Sequence, residues 1–294
     1  MGNLSHMKNH ALLSVIVTIT LWSSAFVGIR YTMGEFSAGG MAFYRYFIAS
    51  IAMAIFFFKI KNKHKPEWID FWGFCLLGFL GFALYNVLLN YGEITVDASV
   101  ANFIIAQVPI FVAIIAMFFL NEKMNPLGFL GLFISIVGAG IIFLSEKKFN
   151  LGDGIFSIYL AAISASIYSV LQKYYLKKGY SPIEITSYSI WIGTIMLIIY
   201  LPSACRELVQ ASWSANLTVI YLGIFPGAIA YSAWCNCFKY IPASKAATYL
   251  YYMPLLTIIL SWILLGQVPI LWSIIGGLIA CVGSLVVNRW GMRR

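Results

Sequence analysis

The feature that most constrains this chain is a succession of ten apolar segments, each long enough to cross a bilayer. They cover residues 10–33, 38–58, 71–92, 97–120, 126–144, 153–176, 183–202, 214–238, 243–265 and 269–288. A transmembrane helix needs about 20 mostly apolar residues. With 61% apolar residues and a mean hydropathy of +0.87, the chain lies outside the range of soluble domains. The connections are short, so we expect one all-α integral membrane unit.

The second half of the chain repeats the first at an offset of 145 residues. Ala98-Ser99-x-Ala101 corresponds to Ala243-Ser244-x-Ala246, and further pairs are Pro109 with Pro254, Leu120 with Leu265, Gly131 with Gly276 and Gly138 with Gly283. Each half contains five segments, and homologous units with an odd number of crossings lie in opposite orientations. The sequence therefore predicts ten transmembrane helices as two inverted five-helix repeats, the architecture of alternating-access carriers.

The repeats set the expected domain organisation. Residues 10–144 form the first repeat, 145–152 a linker and 153–288 the second repeat, and 1–9 and 289–294 are tails. Residues 1–6 are as compatible with an added extension as with native sequence. The first segment lacks a small-x-small cleavage site, which favours a retained helix over a signal peptide.

Basic residues are distributed unevenly between the two sides of the predicted topology. If the N-terminus is cytoplasmic, the cytoplasmic segments carry 14 of the 19 Lys and Arg, whereas the outer loop 203–213 has only Arg206. The positive-inside rule then predicts a multi-pass protein of a bacterial-type plasma membrane with both termini cytoplasmic. The net charge of +9 is thus a topology signal, suited to anionic membrane lipid, and does not indicate a nucleic-acid partner.

Small residues recur every four positions in the fifth and tenth segments. Gly131, Ser135 and Ala139 match Gly276, Ala280 and Ser284. Such stripes let helix backbones approach closely in lipid. They predict packing helices that either brace the two halves or form a homodimer surface.

Two prolines fall near the middle of the fourth and ninth segments. Pro109 and Pro254 each remove an amide donor and free a carbonyl four residues earlier, at Ile105 and Leu250. A freed carbonyl in lipid must find a protein or water partner. An ordinary kink is one reading; equivalent placement in both repeats favours a hinge beside a cavity.

Polar side chains inside the apolar segments are the candidate substrate contacts. Asn86 and Asn90 share a helix face and match Ser232 and Asn236 at an offset of 146. Intramembrane amides are costly unless they face a polar interior, whereas tyrosine and tryptophan also form interfacial belts. We predict substrate contacts from Trp22, Asn86, Asn90, Asn102, Gln107, Tyr168, Ser232, Asn236 and Tyr251.

Charged groups are scarce within the segments. Arg45 is either an anion contact or a structural tether to helix-end carbonyls or to an acid such as Glu35 or Glu93. No carboxylate falls in mid-segment. If transport is coupled to protons, Glu93 or Asp97 is the expected carrier; otherwise transport is facilitated or by exchange.

The combined pattern resembles the EamA-type branch of the drug/metabolite transporter superfamily. The first repeat carries Leu21-Trp22-Ser23, Arg45, Ala98–Pro109, Leu120-Asn121-Glu122 and Gly131…Gly138; the second departs from it at Tyr168 and Gln267. The resemblance implies a central cavity lined by segments one, three, four, six, eight and nine. It also implies export of small metabolites, often amino acids.

These observations favour a secondary transporter that exports a small amphipathic solute, an amino acid or similar zwitterion, by alternating access. A multidrug or organic-cation exporter is the alternative, weakened by the absence of a mid-segment acid. An intramembrane enzyme is remote, because the sequence contains no His-Glu-x-x-His, no Gly-x-Ser-x-Gly and no paired mid-segment aspartates. We therefore expect no catalytic residues, no metal ligands and no cofactor.

Overall fold

The computed structural model describes residues 2–32, 34–64, 66–95, 103–145, 154–266, 268 and 270–291. Within these ranges, ten helices are long and apolar enough to cross a membrane, which confirms the predicted number. Five are continuous, namely α1 (Gly2–Thr32), α2 (Ala38–Phe58), α5 (Pro126–Ser145), α6 (Ile155–Lys177) and α10 (Leu271–Trp290). The span Phe103–Leu120 has a turn at residues 106–107, and the helix after this turn is α4 (Val108–Leu120).

The other four consist of consecutive segments with different helical pitch. They are α3 (Trp68–Gly78, Phe79–Leu84, Tyr85–Thr95), α7 (Pro182–Met196, Leu197–Tyr200, Leu201–Gln210), α8 (Trp213–Leu222, Gly223–Ala230, Tyr231–Cys237) and α9 (Ala243–Thr248, Tyr249–Tyr252, Met253–Leu265). The middle segments of α3 and α8 are π-helical, and those of α7 and α9 are 3₁₀-helical.

Local sequence signals explain where several helices begin and end. Ser37 precedes α2 and accepts a hydrogen bond from the Gly40 amide. Ser181 and Glu184 form a capping box at the start of α7. Asn121 and Gly266 end α4 and α9 in the left-handed conformation, with φ of 56° and 66°. These last two positions are equivalent in the two repeats, so the duplication extends to the helix ends.

The helices form two compact units, and each unit draws helices from both repeats. Unit 1 comprises Met1–Asn90 and Leu171–Tyr240, and unit 2 comprises Tyr91–Val170 and Ile241–Arg294. Within unit 1, α2 packs against α7 and α8, and α1 packs along α8. Within unit 2, α5 packs along α10, and α9 packs against α4.

The stripes of small residues on α5 and α10 pack against each other inside unit 2. A Cβ atom added to Gly138 would lie 2.3 Å from the Ala280 amide nitrogen and 2.5 Å from the Gly276 carbonyl oxygen. The Ser135 hydroxyl donates to the Ala280 carbonyl at 3.0 Å. The predicted packing role of the stripes is therefore seen in the contact between these two helices.

Large apolar side chains point outward along the helices. Phe118 is 79% exposed, and Ile199 is 73% exposed. A soluble monomer rarely leaves such side chains in water over wide areas. Lipid covers them in a protein that crosses the bilayer many times.

Candidate transport site

The π-helical segments of α3 and α8, called the wide turns below, occupy equivalent positions in the two repeats. They cover Phe79–Leu84 and Gly223–Ala230. Both begin beside a glycine at a close helix crossing. A Cβ on Gly78 would lie 2.8 Å from the Ser189 carbonyl oxygen, and one on Gly223 would lie 2.7 Å from the Arg45 carbonyl oxygen. Wide turns within α-helices often mark functional sites, and they leave backbone carbonyls without regular partners.

Side chains bind several carbonyls of the wide turns. The Trp22 indole donates to the Pro226 carbonyl at 3.3 Å, and the Thr18 hydroxyl donates to the Ala230 carbonyl at 3.2 Å. The Asn86 amide donates to the Phe82 carbonyl at 2.7 Å. Trp22 and Asn86, which were predicted site residues, and Thr18 thus bind backbone carbonyls in unit 1. A carbonyl without a hydrogen-bond partner would be costly in lipid.

The three described polar candidates on α3 and α8 have different surroundings. Asn86 is buried and also donates to the Tyr46 hydroxyl at 3.3 Å, so both amide hydrogens are used within the protein. Asn236 is half-buried and donates to the Ser14 hydroxyl at 2.9 Å. Ser232 is half-buried and contacts the Met53 sulfur at 3.4 Å. Asn236 and Ser232 therefore retain more freedom to bind a solute than Asn86.

An aromatic group surrounds Trp22 in unit 1. The Trp22 ring centroid lies 5.0 Å from the Tyr231 ring centroid, in an edge-to-face arrangement, and 5.5 Å from the Trp234 ring centroid. Tyr231 also lies 4.9 Å from Phe82. Such pairs stabilise a fixed ring orientation, and their faces attract cations.

Arg45 is half-buried on α2 with its guanidinium carbon 5.1 Å from the Tyr46 ring centroid. Its Nε is buried and has no hydrogen-bond partner among the described residues. Glu35 makes no ion pair with Arg45 within the described residues, and its carboxylate accepts hydrogen bonds from the Ser212 amide and hydroxyl at 2.5 and 2.9 Å. The choice between an anion contact and another tether stays a prediction.

The remaining described candidates lie in unit 2. Gln107 precedes α4 and donates to the Tyr159 hydroxyl at 3.2 Å. Tyr168 is buried on α6. Tyr251 is also buried, in a cluster with Ala113 and Ala280, and its hydroxyl has no hydrogen-bond partner among the described residues. A buried hydroxyl without a partner is costly, so this position merits a test of ligand contact.

Both candidate hinge prolines lie in the first turn of a helical segment that follows a break. Pro109 comes just after a turn at residues 106–107, and Pro254 follows the 3₁₀ segment Tyr249–Tyr252. The Leu250 carbonyl, which lacks its usual donor, accepts a hydrogen bond from the Met253 amide. This 3₁₀ hydrogen bond, made just before the proline, replaces the one that Pro254 cannot donate.

Four candidates cannot be placed in the site. Asn102 and Asp97 lie outside the described residues. Asn90 and Glu93 belong to α3, but their side chains lie outside the described part of the structure.

Two carboxylates, the half-buried Glu122 and the buried Asp70, accept several hydrogen bonds and had no predicted role. Glu122 accepts hydrogen bonds from the Ala243 amide at 2.7 Å, the Ser244 amide at 3.0 Å and the Ser244 hydroxyl at 2.5 Å, and so caps α9. The Leu-Asn-Glu motif singled out this residue but not its partner, which lies 121 residues away in the chain.

The second arrangement centres on Asp70, at the start of α3. It pairs with Lys178 at 2.6 Å and accepts from the Tyr180 hydroxyl at 2.8 Å. The hydrogen bond to Asp70 raises the pKa of Lys178, and burial together with the bond to Asp70 raises the pKa of Tyr180. These contacts fix the end of α6 and the loop before α7.

Comparison with known proteins identifies the relatives of this chain. The EamA-like transporter family matches it twice, over residues 9–144 and 152–289. A Bacillus subtilis protein named uncharacterized transporter YdfC is 38% identical, with 96% of this chain and 92% of the relative covered. A probable terminal-alkyne amino-acid exporter from Streptantibioticus cattleyicolor is 28% identical, with 95% and 93% covered.

A solved crystal structure superimposes with a TM-score of 0.77 at 18% identity, with 95% of this chain and 96% of that chain covered. This likeness supports the fold. Together with the double family match, it confirms the fold class predicted from the sequence: an all-α membrane protein of ten transmembrane helices in two inverted five-helix repeats.

Proposed function

This chain belongs to the EamA-like transporter family, and from that premise we propose that it exports a small zwitterionic metabolite, an amino acid or close analogue, by alternating access. The protein is a multi-pass membrane transporter and not an enzyme. The substrate, the direction and the plasma-membrane location with both termini cytoplasmic belong to the proposal.

One structural observation carries the proposed substrate class. In unit 1, the half-buried amide of Asn236 and hydroxyl of Ser232 lie just beyond the wide turn of α8, on the helix that also carries Tyr231 and Trp234. Amide and hydroxyl groups suit the carboxylate and ammonium of a zwitterion, and aromatic faces suit its apolar part. The name of the Streptantibioticus relative agrees with this chemistry.

The aromatic group around Trp22 favours one alternative substrate class. Tryptophan and tyrosine faces attract permanent cations, so an organic-cation exporter is the second candidate. A thermal-unfolding screen of purified protein against amino acids, quaternary amines and nucleotides separates the two. A ligand that binds only the folded state stabilises it by about 2.7 kcal/mol at 100 times its Kd. Stabilisation by amines alone would overturn the zwitterion proposal.

The proposed topology can be tested with a native thiol. Cys205 is exposed near the end of α7, on the side expected to be external. A membrane-impermeant thiol reagent added to intact cells should label it. It should not label a Lys61→Cys variant in a Cys205→Ser background until the cells are opened. Labelling of Lys61→Cys in intact cells, with Cys205 of the unaltered protein protected, would overturn the proposed cytoplasmic placement of both termini.

The transport site is tested by Asn236→Leu, assayed as amino-acid uptake into proteoliposomes. Loss of one neutral hydrogen bond to a solute corresponds to about 1 kcal/mol, or roughly a fivefold rise in KM. Asn288→Leu is the matched control, because Asn288 is also a half-buried amide but bonds to Thr248 and Ser284 in unit 2.

We expect the control to lower thermal stability while its KM stays that of the unaltered protein. If Asn236→Leu leaves the kinetics unchanged, Asn236 does not contact the solute.

Proton coupling through Glu93 or Asp97 is tested in the same vesicles, where Glu93→Gln and Asp97→Asn should each be assayed with and without a pH gradient. If the unaltered protein takes up solute at the same rate with and without the pH gradient, facilitated transport or exchange is favoured.

A further inference from the structure

Arg45 places a positive charge inside the membrane span Ala38–Phe58. Within the part of the chain that the structure describes, its guanidinium makes no hydrogen bond or ion pair, and its Nε is enclosed by protein. Its backbone lies where α2 crosses the start of the wide turn of α8, because a Cβ on Gly223 would lie 2.7 Å from the Arg45 carbonyl oxygen. A charge at membrane depth is costly without a counter-charge and commonly marks a substrate pathway. This arginine therefore requires an anion that the described residues do not provide.

Tyr46, the next residue of α2, connects Arg45 to Asn86 of α3. The guanidinium carbon of Arg45 lies 5.1 Å from the Tyr46 ring centroid, and the Tyr46 hydroxyl accepts a hydrogen bond from the Asn86 amide at 3.3 Å. Tyr46 is completely buried, and its ring packs edge-to-face against Phe82 with 5.0 Å between centroids. The guanidinium and the amide are thus held by one side chain of fixed orientation, the first by its ring and the second by its hydroxyl.

The hydrogen bonds of Asn86 determine which of its atoms is left for a solute. One amide hydrogen is donated to the Phe82 carbonyl at 2.7 Å, and because a carbonyl can only accept, this bond fixes the side of the amide that carries the nitrogen. The other amide hydrogen is donated to Tyr46. Oδ1 accepts no hydrogen bond from the described residues and is not enclosed by them. Asn86 therefore offers an acceptor and no donor, which suits an ammonium group.

The aromatic group around Trp22 continues to the ring beside Arg45. Phe82 lies 4.9 Å from Tyr231 and 5.0 Å from Tyr46, measured between ring centroids. An unpaired guanidinium beside this group opposes the entry of a permanent cation, because like charges repel strongly where the dielectric constant is low. The contact with Arg45 thus favours a solute that carries a carboxylate over an organic cation.

We propose that Arg45 binds the carboxylate of the transported amino acid, that Asn86 Oδ1 binds its ammonium group, and that Tyr46 positions both. This inference rests on the proposed function and assigns a partner to each charged end of the solute. A guanidinium suits a carboxylate better than an amide or a hydroxyl does, because it can bind both oxygens and charge-assisted hydrogen bonds are roughly twice as strong as neutral ones. Tyr46 acts without touching the solute, since its side chain is completely buried.

The test is thermal unfolding of the purified protein in a neutral detergent during titration with leucine, leucinamide or 4-methylpentanoate. Leucinamide lacks the carboxylate, and 4-methylpentanoate lacks the ammonium group. The affinity of leucine relative to leucinamide therefore reports the carboxylate partner, and its affinity relative to 4-methylpentanoate reports the ammonium partner. Because each ratio compares two ligands on the same variant, a loss of folding stability alone does not change it.

The variants are Arg45→Gln, Asn86→Leu and Tyr46→Phe, and the control is Arg206→Gln, which removes the same charge from an exposed arginine near the end of α7. Arg45→Lys keeps the charge but cannot bind both carboxylate oxygens in the same plane. Its leucine-to-leucinamide ratio should lie between those of Arg45→Gln and the unaltered protein. It takes the place of Arg45→Gln should that variant not fold.

Leucine should bind more tightly than either analogue to the unaltered protein and to the control. Hydrogen bonds to charged groups account for roughly 10-fold to 100-fold in affinity, so Arg45→Gln should lose about that factor from the carboxylate ratio alone, and Asn86→Leu from the ammonium ratio alone. Tyr46→Phe should lower the ammonium ratio by roughly fivefold and leave the carboxylate ratio unchanged, because the ring beside Arg45 remains and only the bond to Asn86 is lost.

The outcomes separate this inference from the proposed function. If leucine stabilises the unaltered protein and both ratios persist in Arg45→Gln and Asn86→Leu, the assigned contacts are wrong and the proposed function stands. If leucine does not stabilise the unaltered protein, an apolar amino acid is not the solute, and the proposed function and this inference are overturned together. Stabilisation by leucinamide equal to that by leucine would exclude a carboxylate contact from Arg45.

Discussion

The contact between α5 and α10 allows a quantitative test of the packing argument with a single methyl group. In Gly138→Ala the new Cβ would meet the Ala280 amide nitrogen at 2.3 Å and the Gly276 carbonyl oxygen at 2.5 Å. Real Cβ contacts essentially never fall below 3.0 Å, and both neighbours are backbone atoms. The two helices must therefore separate by about 1 Å, and a gap of that size forfeits up to half of each affected dispersion contact.

The expected magnitude is the difference between two opposing effects. Overpacking of this kind costs about 1–3 kcal/mol, and replacing glycine by alanine inside a helix returns up to about 1 kcal/mol. Because the new Cβ would meet two backbone atoms, we take the upper end of the overpacking range, and Gly138→Ala should lower the free energy of unfolding by about 2 kcal/mol. Gly140→Ala is the control, because its Cβ would meet only Phe103 at 3.7 Å, an ordinary contact. We expect that variant to be unchanged or more stable by up to about 1 kcal/mol.

The measurement is equilibrium unfolding in mixed micelles followed by circular dichroism, with labelling of Cys281 as a local probe. Cys281 is buried beside Ala280, so separation of the helices should accelerate its reaction with a thiol reagent. Equal stability and equal labelling in the two alanine variants would show that the close approach of α5 and α10 contributes nothing, and would refute the reasoning.

Three further perturbations follow from contacts described above. Glu122→Ala should lower the free energy of unfolding by about 2 kcal/mol, because the amides at the start of α9 lose a charged cap; an unchanged midpoint would contradict this. The raised pKa values of Lys178 and Tyr180 mean that their stabilising contribution is complete below pH 10.0 and is lost as the pH rises through the folded-state values. The unfolding temperature should therefore fall more steeply above pH 10.0 in the unaltered protein than in Asp70→Asn, and parallel curves would remove Asp70 from this role. Pro254→Ala should lower the turnover number more than it raises KM in vesicles, because it allows a regular helix through the break; equal changes in both would argue against a hinge.

The ten helices were predictable because segment length and hydropathy determine membrane spans almost without reference to tertiary contacts. The small-residue stripes were predictable for a related reason, since close helix approach in lipid requires residues such as Gly131 and Gly276. In these cases the physical requirement acts at the level of one helix.

The details of the site depended on contacts between distant parts of the chain. The substrate contact of Asn86 stays a prediction, and the partners of its two amide hydrogens, the Phe82 carbonyl and the Tyr46 hydroxyl, become known only from the fold. The wide turns escaped prediction because a helical reading assumes a constant pitch; Gly78 and the Gly223–Pro226 pair were the available signals. Glu122 was recognised as a motif, but its partners at the start of α9 become visible only when the chain folds.

The wide turns also affect how accessibility data along α3 and α8 should be read. A residue in such a turn bonds to the fifth residue along the chain, so fewer degrees of rotation separate its neighbours than in the flanking helix. In a cysteine scan through α8, the periodic pattern of accessible positions will therefore be shifted across Gly223–Ala230. Solvent-facing positions before and after that stretch will fit two helical wheels offset from one another, and a single wheel drawn through both would assign lipid-facing positions to the aqueous path.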